Sequence, residues 1–410
     1  MGVPLQKNKL NYSDLKNAFE SELYAIADWW VDNTVDEIHG GFVGEMSVDN
    51  KVNATADKGI ILNTRILWFF SEAALFAGNK RYAQMAERAY TYIVDHFLDT
   101  EHGGVFWALD YRGNVVNNRK QVYAQAFAIY GLSAYYKLTK QADVLAQAHA
   151  IFELIEANAQ DENHQGYLEA FSNTWGRLDD MRLSEKDLNS PKSMNTHLHI
   201  LEAYTALHIA APNPKVSAAI KHCLGLFDRY IINKTNWHLR MFQDMDWEDV
   251  STSYSYGHDI ECSWLMWEAV ESLESEELHA HYKPAVIALA ETCLEQGIGK
   301  HNEVLDAYNF ETQALVDERV WWVQAEALVG FLNACHLTGE QRYLDAALNV
   351  WEFINSYQKD SVGGEWHWLS RLDLPHTGDC KMGPWKAPYH NGRAMMESIK
   401  LVQKIFGNNE

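Results

Sequence analysis

Two kinds of helical segment alternate along this chain, and a short turn-rich joint recurs after each of the more polar ones. The joints are His39-Gly40-Gly41-Phe42, His102-Gly103-Gly104-Val105-Phe106-Trp107, His164-Gln165-Gly166-Tyr167-Leu168, Asn236-Trp237-His238-Leu239, His301-Asn302-Glu303-Val304 and Val362-Gly363-Gly364-Glu365-Trp366. A period of roughly 60 to 70 residues marks a repeat architecture, in which each unit buries its apolar face against the next. Amphipathic helices are expected over 13–32, 81–97, 141–158, 214–231, 277–296 and 341–357. Far more apolar helices are expected over 58–77, 121–138, 195–211, 258–273, 322–337 and 391–405. A helix that is apolar all round must be covered on both sides. Six covered and six half-covered helices fit an all-α chain closed into one (α/α)6 barrel, six helices inside and six outside, with short strand-like hairpins between repeats. An open solenoid would need polar-faced capping repeats at both ends, and Ala394-Met395-Met396-Glu397-Ser398-Ile399 is not polar enough for a cap. No Pro/Gly/Ser-rich linker interrupts the pattern, so residues 1–410 are read as a single catalytic domain.

In such a barrel the inner helices run parallel, so their N-terminal ends converge on one mouth. The polar residues of the apolar segments cluster at those ends: Asn63 and Arg65, Gln121 and Tyr123, Asn195 with His197 and His199, His258 and Glu261, Trp322 and Glu326, His390 and Arg393. His258 and Glu261 are three apart and share a helix face, where a carboxylate can fix an imidazole's tautomer and raise its pKa. His197 and His199 point about 200° apart on a helix; His199 shares its face with Asn195 and is the one expected in the mouth. A crater of Arg, Tyr, Asn, His, Glu and Trp is a ligand site by its chemistry.

Composition narrows the ligand. A net charge of −22 argues against nucleic acid and anionic membrane as partners, and no uninterrupted apolar run of about 18 residues occurs. The 15 tryptophans are platforms for sugar rings or cations as well as core bulk. Five widely spaced cysteines without a CxxC pair are expected as free thiols in the cytoplasm. Walker A and GxGxxG signatures are absent, as are HExxH and paired-Cys ones. No cofactor and no metal are therefore expected, although His258 and Glu261 with His199 and His390 could be drawn as a zinc site. A monomer acting on a small-molecule substrate is the simplest assembly.

Three stretches then stand out together. Lys192-Ser193-Met194-Asn195-Thr196-His197-Leu198-His199-Ile200-Leu201-Glu202-Ala203-Tyr204, Tyr256-Gly257-His258-Asp259-Ile260-Glu261-Cys262-Ser263-Trp264 and Trp385-Lys386-Ala387-Pro388-Tyr389-His390-Asn391-Gly392-Arg393 resemble motifs of the cellobiose 2-epimerases, within the N-acylglucosamine 2-epimerase superfamily of (α/α)6 barrels. The resemblance spans essentially the whole chain. It implies a cofactor-independent sugar epimerase that interconverts reducing-end glucose and mannose in β-1,4-linked disaccharides such as cellobiose and lactose. It further implies His390 and His258 as the acid/base pair, assisted by Glu261 and His199. Arg65, Tyr123, Asp187, Asn195, Trp264, Trp322, Glu326 and Trp385 resemble the substrate-handling set. A monosaccharide aldose–ketose isomerase or an N-acylmannosamine 2-epimerase of the same superfamily is the nearest alternative. A six-hairpin glycoside hydrolase is the alternative of another class; it would need two carboxylates at the mouth.

Overall fold

The computed structural model describes residues 12–373 and 380–407. Among them run twelve α-helices: α1 Tyr12–Asn33, α2 Ile60–Ala77, α3 Lys80–Tyr92, α4 Val122–Thr139, α5 Ala142–Asn158, α6 Met194–Ala210, α7 Pro214–Leu226, α8 Tyr256–Ser272, α9 Glu276–Gln296, α10 Trp321–Thr338, α11 Gln341–Phe353 and α12 His390–Phe406. The even-numbered helices form the inner ring. Each packs on the next, α2 on α4 and so on to α12, which returns to α2. The odd-numbered helices lie outside: α3, α5, α7, α9 and α11 each cover the inner helix before them, and α1 covers α12. The fold is the expected (α/α)6 barrel, closed by helices from opposite ends of the described chain.

Double coverage explains the composition of the inner helices. In α2, α4 and α10 fourteen residues each are buried, on every face. α2 is long and apolar enough to cross a membrane by length and composition, yet 78% of it is buried inside the barrel. At the bottom of the barrel the inner-to-outer turns are short and tight, through left-handed Gly78 (φ 61°) and Gly339 (φ 72°). At the top, the outer-to-inner connections are long and carry the hairpins foreseen from the joints. Their rungs are Val35–Phe42, Leu98–Val105, Gln160–Tyr167, Ile298–Val304 and Lys359–Trp366, with Ile232–Asn233 pairing His238–Leu239 in the fourth repeat.

A second element of the repeat went unread in the sequence. An aspartate in the hairpin caps its turn and takes the ammonium of a buried lysine at the start of the following inner segment. The pairs are Lys58–Asp36 (2.7 Å), Lys120–Asp99 (2.7 Å), Lys192–Asp161 (2.9 Å) and Lys381–Asp360 (2.6 Å). The fifth repeat uses Arg319–Glu303 (2.7 Å), and the fourth uses His238 on Asp259 (2.7 Å). Lys58, Lys120, Lys192 and Arg319 each stand two residues before an inner helix. A buried cation is tolerated only with a partner, so these four latches fix where α2, α4, α6 and α10 begin. That fixes the mouth.

Candidate active site

The first turns of all six inner helices open on one cleft of about 720 Å³. Arg65 enters it from α2, Tyr123 from α4, Asn195 and His199 from α6, His258 and Glu261 from α8, Trp321 and Trp322 from α10, and His390 from α12. Trp385 and Trp368 complete the wall, and the segment from Leu183 to Asp187 overhangs it. Of the twelve site residues expected from sequence, ten line this cleft. The other two, Glu326 and Trp264, lie behind it: Trp264 Nε1 donates to Glu326 Oε2 at 2.9 Å, and Glu326 Oε1 meets His390 Nδ1 at 2.6 Å. Trp264 is thus walled off from a ligand in the cleft and acts on the carboxylate beneath.

The pairing of His258 with Glu261 does not form. Glu261 Oε1 instead accepts from Arg393 Nη2 at 2.9 Å, and His258 Nδ1 sits 3.0 Å from Ser255 Oγ, the α8 N-cap. A guanidinium held by α12, across the ring from α8, outcompetes an imidazole on the carboxylate's own face. The histidine–carboxylate pairs occur elsewhere, at His390–Glu326 and at His199–Glu202 (2.8 Å). Nor does Arg65 pair with Glu261 or Glu326; it donates to Tyr123 Oη and to the Trp385 carbonyl, both at 2.9 Å. His197 is turned away from the cleft, Nδ1 on Ser193 O at 2.7 Å and Nε2 accepting from Tyr167 N at 3.0 Å.

Beneath the imidazoles lies a charged floor centred on Arg393. Its guanidinium binds Glu202, Glu261 and Glu326 and the Tyr389 hydroxyl, and lies over the Trp264 ring at 4.6 Å. Tyr389 Oη also donates to Glu202 at 2.5 Å. Three carboxyls around one cation cannot all ionise cheaply in a dry interior. Burial pushes Glu261 well above the usual carboxylate range, with Glu326 beside it adding to the shift. Burial also raises Glu326, against the pull of Arg393. Burial works on Glu202 in the same sense, but Arg393 and His199 outweigh it and hold that carboxyl at about 2. Glu202 and Tyr389 stand in the quoted motifs but were not among the site residues expected from sequence. Their only signals were the three-residue spacing from His199 and adjacency to His390.

Burial also keeps the histidines neutral. Burial drives His258 down to about 3, with His199 adding to it; burial drives His390 well below its ordinary value, helped by Arg65 and Arg393. His199 is lowered by burial against the pull of Glu202. Neutral imidazoles are proton acceptors. Glu326 takes the Nδ1 side of His390 and Glu202 that of His199, leaving each Nε2 for the cleft. Trp322 touches both outer imidazoles, with ring centroids 4.7 Å from His258 and 5.6 Å from His390. Glu261, Glu326 and His390 place ligand atoms within 4.8 Å of one another, a spacing that could suit a metal ion. Arg393 already supplies the positive charge between those two carboxylates.

Fold and site together define an inner-mouthed (α/α)6 barrel enzyme with neutral imidazoles in an aromatic cleft. Residues 40–394 match the N-acylglucosamine 2-epimerase family. The chain is 41% identical over 387 residues to the cellobiose 2-epimerase of Bacteroides fragilis, covering 94% of this chain and 98% of that one. It is 40% identical to that of Ruminococcus albus, covering 89% and 93%. The solved cellobiose 2-epimerase from Spirochaeta thermophila superposes with a TM-score of 0.91 at 35% identity, over 98% of this chain and 100% of that one. That from Bacillus thermoamylovorans gives 0.89 at 34%, over 95% and 99%. This chain belongs to the N-acylglucosamine 2-epimerase family. A family 76 glycoside hydrolase shares the barrel alone, at 11% identity and a TM-score of 0.67.

Proposed function

We propose that the protein is a cofactor-independent carbohydrate 2-epimerase that interconverts reducing-end glucose and mannose in β-1,4-linked disaccharides, cellobiose foremost. The observation that carries this reading is the pair of neutral imidazoles, His258 and His390, set on different inner helices and sharing the Trp322 wall of one cleft. The similarity to the cellobiose 2-epimerases of Bacteroides fragilis and Ruminococcus albus supports the substrate. A hexose exposes an acidic proton at C2 only after its ring opens to the aldehyde, which requires proton transfers at O5 and O1. One imidazole then takes H2, leaving a planar cis-enediolate; the other, once it has taken up a proton from solvent, returns it to the opposite face, and the first releases its own to solvent. When His390 accepts the proton through Nε2, Glu326 at 2.6 Å stabilises the imidazolium. Arg65 and His199 face the oxygens on which negative charge develops, and a fixed cation there lowers the barrel's cost of the enediolate.

Glycoside hydrolysis suits the site less well. Glu202, Glu261 and Glu326 are all bound to Arg393, so none is free to act as a hydrolase's acid or base. We further read the chain as one catalytic domain, a monomer without metal, working in the cytoplasm. Cys223, Cys262 and Cys293 are buried outside any disulfide, which suits a reducing compartment. The test is epimerisation of cellobiose in D2O followed by NMR. Deuterium at C2 of the product, with C1 and C3 unlabelled, is expected; product that keeps full protium at C2 refutes proton transfer by two opposed bases.

A further inference from the structure

Counted from their capping aspartates Asp36, Asp99, Asp161 and Asp360, four hairpins place the same fifth residue in the left-handed region. These residues are Gly41 (φ 62°), Gly104 (φ 74°), Gly166 (φ 78°) and Glu365 (φ 61°). Glycine serves the first three for two reasons. It adopts this backbone without strain, and there is no room for more. A Cβ would lie 2.6 Å from the Tyr92 ring at Gly41, 2.5 Å from Gln125 Oε1 at Gly104 and 2.3 Å from Trp247 at Gly166. In the sixth repeat the space is open and a glutamate fills it, accepting the strain of a left-handed backbone. Such outliers persist where the surroundings over-determine them, and they gather at working sites.

The side chain is directed at the catalytic wall. Glu365 is buried, and its Oε2 takes the ammonium of Lys386 at 2.6 Å. Its Oε1 accepts from Asn391 Nδ2 at 2.7 Å and from Trp30 Nε1 at 3.2 Å. Lys386 is itself fully buried. These two partners are the chain neighbours of the cleft residues Trp385 and His390. The intervening stretch Ala387-Pro388-Tyr389 lies outside the helix, tied to it only where Tyr389 O accepts from Arg393 N at 2.8 Å. Burial alone would raise the Glu365 carboxyl, but Lys386 and Asn391 hold it below the usual range; burial lowers Lys386.

We propose that Glu365 is a positioning residue for the reaction: through Lys386 and Asn391 it pins the entry of α12, so that Trp385 and His390 meet the substrate in register. This rests on the reading of His390 as one of the two proton-transfer bases. The hairpin thereby gives up the relaxed glycine of its counterparts for a three-point anchor.

The test combines Glu365→Gly with Lys386→Met, which removes the strain, the anchor and the buried charge together. The double variant is expected to melt close to the parent, because it gains the residue the turn prefers and leaves no unpaired charge. Its kcat is expected to fall at least about fivefold, within the range that a misplacement of about 1 Å costs, with KM little changed. A smaller loss in kcat, or a loss confined to KM, would make Glu365 a turn residue and nothing more. If the double variant does not fold, Glu365→Gln, which keeps the shape and drops the charge, is judged by the same threshold. The reading of His390 fails separately: the parent would then epimerise without deuterium at C2, or His390→Ala would stay active. A double variant as fast as a parent that does incorporate deuterium overturns only the role of Glu365.

Discussion

Replacing Arg393 by methionine keeps the bulk of the side chain and removes the one charge that three carboxyls share. Arg393 is 1% exposed, and so are the carboxylates Glu261 and Glu326 beside it. Removing one member of a buried charged cluster costs about 3 to 5 kcal/mol, because the partners keep their charge without compensation. Here the partners have an escape: Glu261 and Glu326 already sit above the ordinary carboxylate range, and without the guanidinium they rise further. A carboxyl whose folded pKa exceeds its unfolded value of about 4.3 gives full stability below that value and loses it as pH rises through the folded pKa. The deficit of Arg393→Met is therefore expected to grow with pH. Between pH 6 and 8, each carboxyl that is ionised in the parent but still protonated in the variant at pH 8 adds about 2.7 kcal/mol to it, at about 1.4 kcal/mol per pH unit. Thermal melts of parent and variant by near-ultraviolet circular dichroism, taken from pH 5.5 to 8.5, measure the difference directly. A deficit that stays constant across that range would refute the account of the floor as carboxyls balanced on one cation.

His390→Ala and His258→Ala should each lower turnover by a factor of about 10² to 10⁴ while leaving the helical circular dichroism intact; either variant keeping more than about a tenth of the parent rate removes that residue from the acid/base pair. Because burial depresses both imidazoles, protonation of the bases should inhibit only below histidine's ordinary range of about 6.5, and a kcat profile with its acid limb centred at or above that value would contradict the neutral-base reading. Overnight EDTA should leave the rate unchanged, since Arg393 already bridges Glu261 and Glu326; activity lost to the chelator and restored by a divalent ion would show that a metal takes part.

Much of this architecture was legible because it is written in composition that repeats. An apolar helix such as α2 has a single explanation, coverage on both sides, and the closure of the ring followed from six such helices. The polar residues at helix starts were legible for the same reason, as exceptions in apolar surroundings. What could not be read was which of them pair. Spacing on α8 put Glu261 beside His258, yet the decisive partner, Arg393, comes from a different helix far along the chain. Local periodicity states which face a side chain occupies and not what stands opposite. The latch lysines escaped notice likewise, since a lysine before an apolar segment reads as a solvated boundary until the hairpin aspartate is seen against it.

The closing contact of the ring, α1 against α12, has a consequence for how the protein comes into being. A linear stack of helix pairs can settle unit by unit as it leaves the ribosome, each repeat content with its predecessor. Here the first helix meets little more than the edge of α3 until α12 has been made, so its apolar face, with Phe19, Leu23 and Trp30, must wait for that helix. The same helix brings His390, the imidazole proposed as a base, and Arg393, the cation on which three carboxyls rely. A nascent chain cut off before α12 would therefore be both inert and sticky, with an uncovered α1 and an unbalanced floor, and would present chaperones or proteases with the surfaces they recognise. The closed barrel and the assembled cleft arrive together, with α12.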